Sequence, residues 1–342
     1  MSVASHSQLN DYAVLKRLVA SEGLLKPQNA YYVMKSLVAA GLLAVAIGVA
    51  VTASSSFVLL LNAAFFGFVF TQVALLAHDV GHRQAFRGRR TSAIARAVLG
   101  NLVLGVSQSW WKTKHNRHHA TPNHIDEDPD VQFPMIVFSS EQIATRPHWL
   151  RPVIAIQAFV FPFLLPFQAI SMRLSGADHV FRGLSRGRGI EAVLLGAHVA
   201  WYVTLLAFLP SWPIALAFVA IHQASFGLYN SSVFASNHKG MPMVDAAHRA
   251  DFLREQVLTS RNVRGHWLTD FWYGGLNYQV EHHLFPTLPR NNLRRVQPIV
   301  QRFCAERGIR YHATGLLESY REILGHLHEV SAPLRQRAVT AQ

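Results

Sequence analysis

Cysteine is almost missing: Cys304 stands alone in 342 residues, which excludes an intrachain disulfide framework and a thiolate-built metal site. Charge is scarce as well. Only 15% of the residues are Asp, Glu, Lys or Arg, against about 25% in soluble globular domains. Half are hydrophobic and the mean hydropathy is +0.16. This balance excludes a disordered chain and points to an integral membrane protein. Acidic residues are the scarcest, 19 against 32 Lys and Arg, for a net charge of +13. The surplus is arginine spread through loops between apolar stretches, with no RNA- or DNA-binding motif, so nucleic acid is not an expected partner. The same arginines mark cytoplasmic loops and attract the anionic headgroups of a lipid bilayer. Repeats, low-complexity tracts and a Pro/Gly/Ser-rich linker are absent, so 1–342 reads as a single domain. Its polar N-terminal segment, 1–30, lacks the apolar core of a cleavable signal peptide, and 305–342 reads as a C-terminal cytoplasmic tail.

What is present begins with apolar runs. Runs 36–51 and 57–77 are separated by the short polar step 52–56. Each approaches the ~20 residues that cross a bilayer as a helix, and the step allows only a hairpin. Lys16, Arg17, Lys26 and Lys35 precede the pair, and Arg83, Arg87, Arg89 and Arg90 follow it, which places both ends in the cytoplasm. Runs 190–209 and 214–235 repeat the pattern around a turn of Pro210, Ser211, Trp212 and Pro213. Arg182, Arg186 and Arg188 lie before this second hairpin, and Lys239 and Arg249 after it. Stretch 91–111 is broken by Arg96, Asn101 and Gln108 and reads as an interfacial amphipathic helix. Stretch 153–172 is interrupted by Pro162 and Pro166. A single crossing there would separate the basic flanks Arg146/Arg151 and Arg173/Arg182, so it reads as interfacial or re-entrant. The expected fold is all-α: four transmembrane helices in two hairpins, interfacial helices, and a cytoplasmic helical cap.

The histidines carry the chemistry. There are 19, and three groups are spaced for helices: His78 with His82; His115 with His118 and His119; and His282 with His283, preceded by Gln279. Positions i, i+3 and i+4 share a helix face, so such imidazoles converge on one ion. One HxxxH pair is commonly an ordinary surface or core pair. Three such groups, all expected on one side of the membrane, indicate metal. Neighbours such as His118 and His119 diverge by about 100° on a helix, which favours two ions over one. Imidazole sites without thiolate suit zinc, iron, copper or nickel. A closed structural zinc site needs only four ligands, and the Glu-x-x-His pairs of carboxylate di-iron bundles are absent. Two open-sided ions beside a bilayer suit oxidative chemistry on a lipid.

The boxes HDVGH, HNRHH and QVEHH, with the tail NYQVEHHLFPTLPR, resemble those of the membrane-bound fatty-acid desaturase family. The resemblance covers roughly 33–304 and includes both hairpins. SNHKGMPM and QVLTSRNVRG are similar to segments of bacterial, particularly actinobacterial, acyl desaturases. The resemblance implies a single desaturase domain that holds two non-haem irons, uses O2, and introduces a cis double bond into a long-chain fatty acyl-CoA or acyl-lipid. It implies the metal ligands His78, His82, His115, His118, His119, His282 and His283, with His238 as an eighth. Many relatives have His in place of Gln279, whose carboxamide either coordinates weakly or orients a neighbour. Family motifs at this level leave a stearoyl-type delta-9 and a front-end delta-6 position both open. An unactivated methylene has no acidic proton, so the reaction needs the oxidant of a metal cofactor. Electrons are expected from outside the chain. His-Pro-Gly-Gly of a fused cytochrome b5 module and GxGxxG are both absent, so a separate ferredoxin- or flavoprotein-type reductase is the implied partner.

Other residues divide between plain and sharper readings. Asp128 and Asp130 belong to an acidic loop that is either solvated or hydrogen-bonded to ligating imidazoles; Asp79, inside box one, faces the same choice. His198 and His222 read as a neutral, hydrogen-bonded packing pair inside the second hairpin. Trp267, Phe271, Trp272 and Tyr273 read as core. A hydroxylase or acetylenase on the same scaffold is the alternative function. A divalent-metal transporter is remote, because its ligands belong near the bilayer midplane, where only His198 and His222 fall.

Overall fold

The computed structural model describes residues 11–185, 187–245 and 250–340. Two of the expected cytoplasmic charges, Arg186 and Arg249, lie outside the described residues, as do 1–10 and the last two residues. The chain divides into two compact units: Pro27–Thr113 with Leu165–Ser232, and Met1–Lys26 with Lys114–Leu164 and Val233–Gln342.

The first of these units contains the expected hairpins. Helices Asn29–Thr52 and Ser56–Gly81 are joined by extended Ala53 and Ser55. Small side chains on the first helix, Ala39, Ala46 and Ala50, meet Leu59, Ala63 and Phe66 of the second in one buried cluster. Asn62 spends its amide on the Ala46 carbonyl at 2.9 Å, which satisfies a polar group where lipid offers no partner. Helices Arg188–Ala207 and Trp212–His238 form the second pair. Glycines allow close crossings here: a Cβ on Gly67 would stand 2.7 Å from the Phe226 nitrogen, and one on Gly227 only 2.0 Å from the Pro166 carbonyl oxygen. Small residues at crossings are how helices pack when no hydrophobic drive separates them from lipid.

Stretch 91–111 forms helix Arg89–Arg96, continues as a π-helix over Ala97–Leu104, and stops at Gly105 in the left-handed region. Its polar breakers are used locally. Asn101 accepts from the Gln108 backbone at 2.8 Å, and the Leu102 carbonyl accepts from His198 Nδ1 and Trp201 Nε1 at 3.1 and 2.8 Å.

Among the described residues, five helices are long and apolar enough to cross a membrane, against the four crossings expected. The additional one is Gln157–Phe181, with a mean hydropathy of 1.3. Its prolines do not end it, because Leu165–Phe167 tightens into a 3-10 turn around Pro166 and the helix resumes at Gln168. Arg173, a basic flank of stretch 153–172 in the sequence, is used inside the fold. Its guanidinium donates to the Leu104 carbonyl at 3.1 Å and to the Gln223 side chain.

The other unit is built on helices Asp11–Ser21, Phe252–Leu258, Gln279–Leu284 and Leu293–Glu306. Leu15, Val19, Leu253, Val257, Leu284 and Val300 share its core. The expected tail is part of the fold: Ala313–Thr314 pairs in parallel with Asn262–Val263, and helix Leu316–Val330 buries Ile323 and Leu327. Arg261 is fully buried. It donates to the Ser236 carbonyl at 2.6 Å, to the Lys239 carbonyl and to Glu322, and so fixes the end of the helix that finishes at His238.

Candidate metal centre

Helix Gln108–Ala120 carries His115, His118 and His119; His238 is the last residue of Trp212–His238; and helix Gln279–Leu284 carries His282 and His283. His118, His238 and His283 converge, all buried, with one ring nitrogen of each within 4.8 Å of the others. Each Nδ1 is engaged outward. His118 Nδ1 is 3.0 Å from Asp128 Oδ2, His238 Nδ1 is 3.1 Å from the Thr259 carbonyl, and His283 Nδ1 is 2.8 Å from Gln256 Oε1. Outward acceptors leave the Nδ1–H tautomer with Nε2 lone pairs facing inward.

The inner nitrogens fit a cation. His118 Nε2 and His238 Nε2 are 3.3 Å apart, and His283 Nε2 is buried without a hydrogen-bond partner. A metal–nitrogen bond of about 2.1 Å sets nitrogens sharing one ion roughly 3.0–3.4 Å apart, which matches the observed pair. The donor set, three imidazoles without thiolate, suits a first-row ion such as iron.

Asp128 is built for its place. It is fully buried and also accepts from the backbones of Asn123 and Asp130 at 2.8 Å each. Asp130 lies 3.5 Å from His118 Nδ1 and pairs with Lys114. Burial works against an imidazolium at His118, but Asp128 and Asp130 outweigh it and raise the pKa. Burial also opposes the Asp130 carboxylate, but Lys114, His118 and Lys239 hold its pKa well below the usual range. His283 is pushed well below its ordinary value by burial and then by the surrounding imidazoles.

Gln279 points its amino group at His238 Nε2, 2.9 Å away, and its oxygen accepts from Asn237 Nδ2 at 3.0 Å. Asn237 donates from the same nitrogen to the Val233 and Leu276 carbonyls, which fixes both amides. The geometry is that of a neighbour-orienting group; the oxygen is turned away from the imidazoles.

The remaining box histidines form two further groupings. His119 Nε2 is 3.1 Å from His115 Nε2, and its ring lies 4.8 Å from His282 and 4.2 Å from His283. In the membrane-helix unit, His78 and His82 have ring centroids 4.7 Å apart beside Trp111, and Asp79 stands 3.5 Å from His78 Nδ1. Glu281, immediately before His282, accepts from Asn262 and Tyr311 at 2.7 and 2.8 Å, and burial pushes its pKa up to about 7. It anchors box three from behind.

Sequence reasoning missed Gln256 and the Thr259 carbonyl. Both belong to QVLTSRNVRG, noted only as a likeness; a backbone carbonyl leaves no side-chain signal. The aromatic cluster corrects the other way: Tyr273 is buried with its hydroxyl on Ser236 at 2.8 Å, but Trp267, Phe271 and Trp272 are exposed. Helix Trp267–Trp272 buries none of its residues. His198 and His222 bond to the Leu102 carbonyl and, at 2.7 Å, to the Tyr202 hydroxyl.

The family model for fatty acid desaturases matches residues 54–315. The chain is 33% identical over 346 residues to the acyl-lipid (9-3)-desaturase of Physcomitrium patens, covering 97% of this chain and 65% of that protein. It is 28% identical to a delta(6)-fatty-acid desaturase of Caenorhabditis elegans, over 99% of this chain and 79% of that protein. A delta(8)-fatty-acid desaturase of Helianthus annuus is 30% identical over 88% of this chain and 69% of its own length. The chain thus spans just under two thirds of the length of the Physcomitrium patens protein. The match over most of the chain, together with imidazoles converging from boxes two and three, shows that this chain belongs to the fatty acid desaturase family.

Proposed function

We propose that this chain is an O2-dependent acyl desaturase that introduces a cis double bond into a long-chain fatty acyl-CoA or acyl-lipid. The observation that carries the reading is the convergence of His118, His238 and His283, each with its Nδ1 held outward. His78, His82, His115, His119 and His282 complete the ligand set for two irons, as the box pattern implies. The irons would supply, with O2 and two electrons, the oxidant that removes two hydrogens from adjacent methylenes. The protein's own work is to hold that chemistry in place. Asp128, the Thr259 carbonyl and Gln256 fix ring tautomers, Gln279 holds the His238 ring through the Nε2 lone pair that a bound metal would take over, and Asp79 and Asp130 tune the charge nearby.

The relatives' names support a bond near the carboxyl end of the chain, since two are delta(6) and delta(8) enzymes; we carry that preference to this protein. Basic loop flanks support a cytoplasmic position for the boxes, and the likeness of SNHKGMPM to actinobacterial segments supports a bacterial cytoplasmic membrane. Electrons come from a separate ferredoxin- or flavoprotein-type reductase. Expression in a host fed defined fatty acids, followed by mass spectrometry of its lipids, tests the reading. New cis double bonds at one position are expected. Hydroxylated or acetylenic products instead would favour the alternative chemistry, and unchanged lipids in a host with a competent reductant would count against both.

A further inference from the structure

Gln256 touches two histidine boxes at once. Its Oε1 lies 2.8 Å from His283 Nδ1 in box three, and its Nε2 donates to the backbone carbonyl of His119 in box two at 3.2 Å. The side chain is 1% exposed, so water does not compete for either end. A peptide carbonyl can only accept, which forces the amino end of the carboxamide toward His119 and the oxygen toward His283. An oxygen there can only accept too, so His283 Nδ1 must carry the proton and Nε2 the inward lone pair. One amide therefore decides which tautomer the ligand adopts.

The helix that presents Gln256 is secured by other residues. Asp251 caps Phe252–Leu258 by accepting from the Arg254 backbone, Leu253 and Val257 are fully buried, and Glu255 pairs with His124 at 3.0 Å. Replacing Gln256 should leave that helix standing. We propose that Gln256 is a positioning residue that selects the Nδ1–H tautomer of His283, ties that ring to box two, and thereby sets the affinity of the three-imidazole site for a divalent first-row ion. This rests on the metal-binding reading of the array. Glutamine suits both contacts. Glutamate keeps an acceptor for His283 but turns an oxygen against the His119 carbonyl, and leucine fills the space with neither function.

The test uses the full chain, purified in detergent, stripped of metal and titrated with Co2+. Wild-type protein should bind saturably, with the visible bands of nitrogen-ligated Co2+ and hyperfine-shifted, solvent-exchangeable imidazole N–H proton resonances. Gln256→Leu should weaken binding about 10–100-fold, as is typical when an outer partner of a ligating histidine is lost, and should lose one exchangeable resonance. Gln256→Glu should restore that resonance and most of the affinity. Wild-type affinity with every resonance intact in Gln256→Leu would overturn the role of Gln256 while leaving the metal site standing. A wild-type protein that binds no more Co2+ than His118→Ala would overturn the metal reading, and this inference with it. If Gln256→Leu loses its cooperative melting, Gln256→Glu decides: absence of the resonance in that folded variant overturns the proposal.

Discussion

His198 and His222 in the membrane-helix unit are as buried as His118 and His283 in the other unit, at 6% and 0% exposed against 3% and 1%. All four also have Nδ1 in a hydrogen bond. The difference lies at the other nitrogen. His222 packs against the rings of Phe70 and Phe66 at 4.5 and 5.5 Å, and among the described residues neither it nor His198 joins a group of three potential ligands. His118, His238 and His283 do. Burial and an engaged Nδ1 are therefore shared by both sets of histidines; convergence of the Nε2 atoms separates them.

The comparison is broken most severely by removing a converging ring. His118→Ala should abolish turnover and most bound iron, measured by product analysis and metal content, because Asp128 cannot replace the lost nitrogen without disturbing its own backbone contacts. Gln279 comes next. Gln279→Ala and Gln279→Leu should lower iron retention or activity about 10–100-fold by freeing His238, and Gln279→His, which returns an imidazole, should retain part of the activity. Wild-type values in both truncations would remove Gln279 from the site.

A pH titration sharpens the contrast further. Metal must displace the proton of an imidazolium, and the carboxylates beside His118 raise its pKa over the opposing effect of burial. Co2+ affinity should therefore fall as pH drops through that raised pKa. Asp128→Asn removes a raising charge, so the fall should begin at lower pH, even though affinity at neutral pH is weaker. An unchanged onset would place the controlling proton elsewhere. The smallest effect on the site is expected from Gly227→Ala. Its Cβ would lie 2.0 Å from the Pro166 carbonyl oxygen, a backbone clash that should cost at least the ~1–3 kcal/mol typical of overpacking. The melting temperature should drop with iron per chain unchanged.

Much of this was legible from residue spacing. The boxes were visible because i, i+3 and i+4 repeat on a helix, and the hairpins because apolar length is set by bilayer thickness. The outer acceptors were not. Asp128 was a candidate because carboxylates announce themselves; Thr259 acts through its backbone, and Gln256 reaches His283 across 27 residues of chain. Span Gln157–Phe181 was legible as a long apolar stretch, but the contacts of Arg173 to the Leu104 carbonyl and the Gln223 side chain were not, because both partners lie far along the chain. The exposed face of Trp267–Trp272 was misread because aromatic residues are usually core.

Metal content of the purified chain, measured side by side for wild type, His283→Ala and His222→Leu, tests the central claim most directly. The account predicts close to two irons in wild type, at most about one in His283→Ala because its free Nε2 is lost, and wild-type iron in His222→Leu. Undiminished iron in His283→Ala, or iron lost equally from His222→Leu in a folded protein, would contradict it.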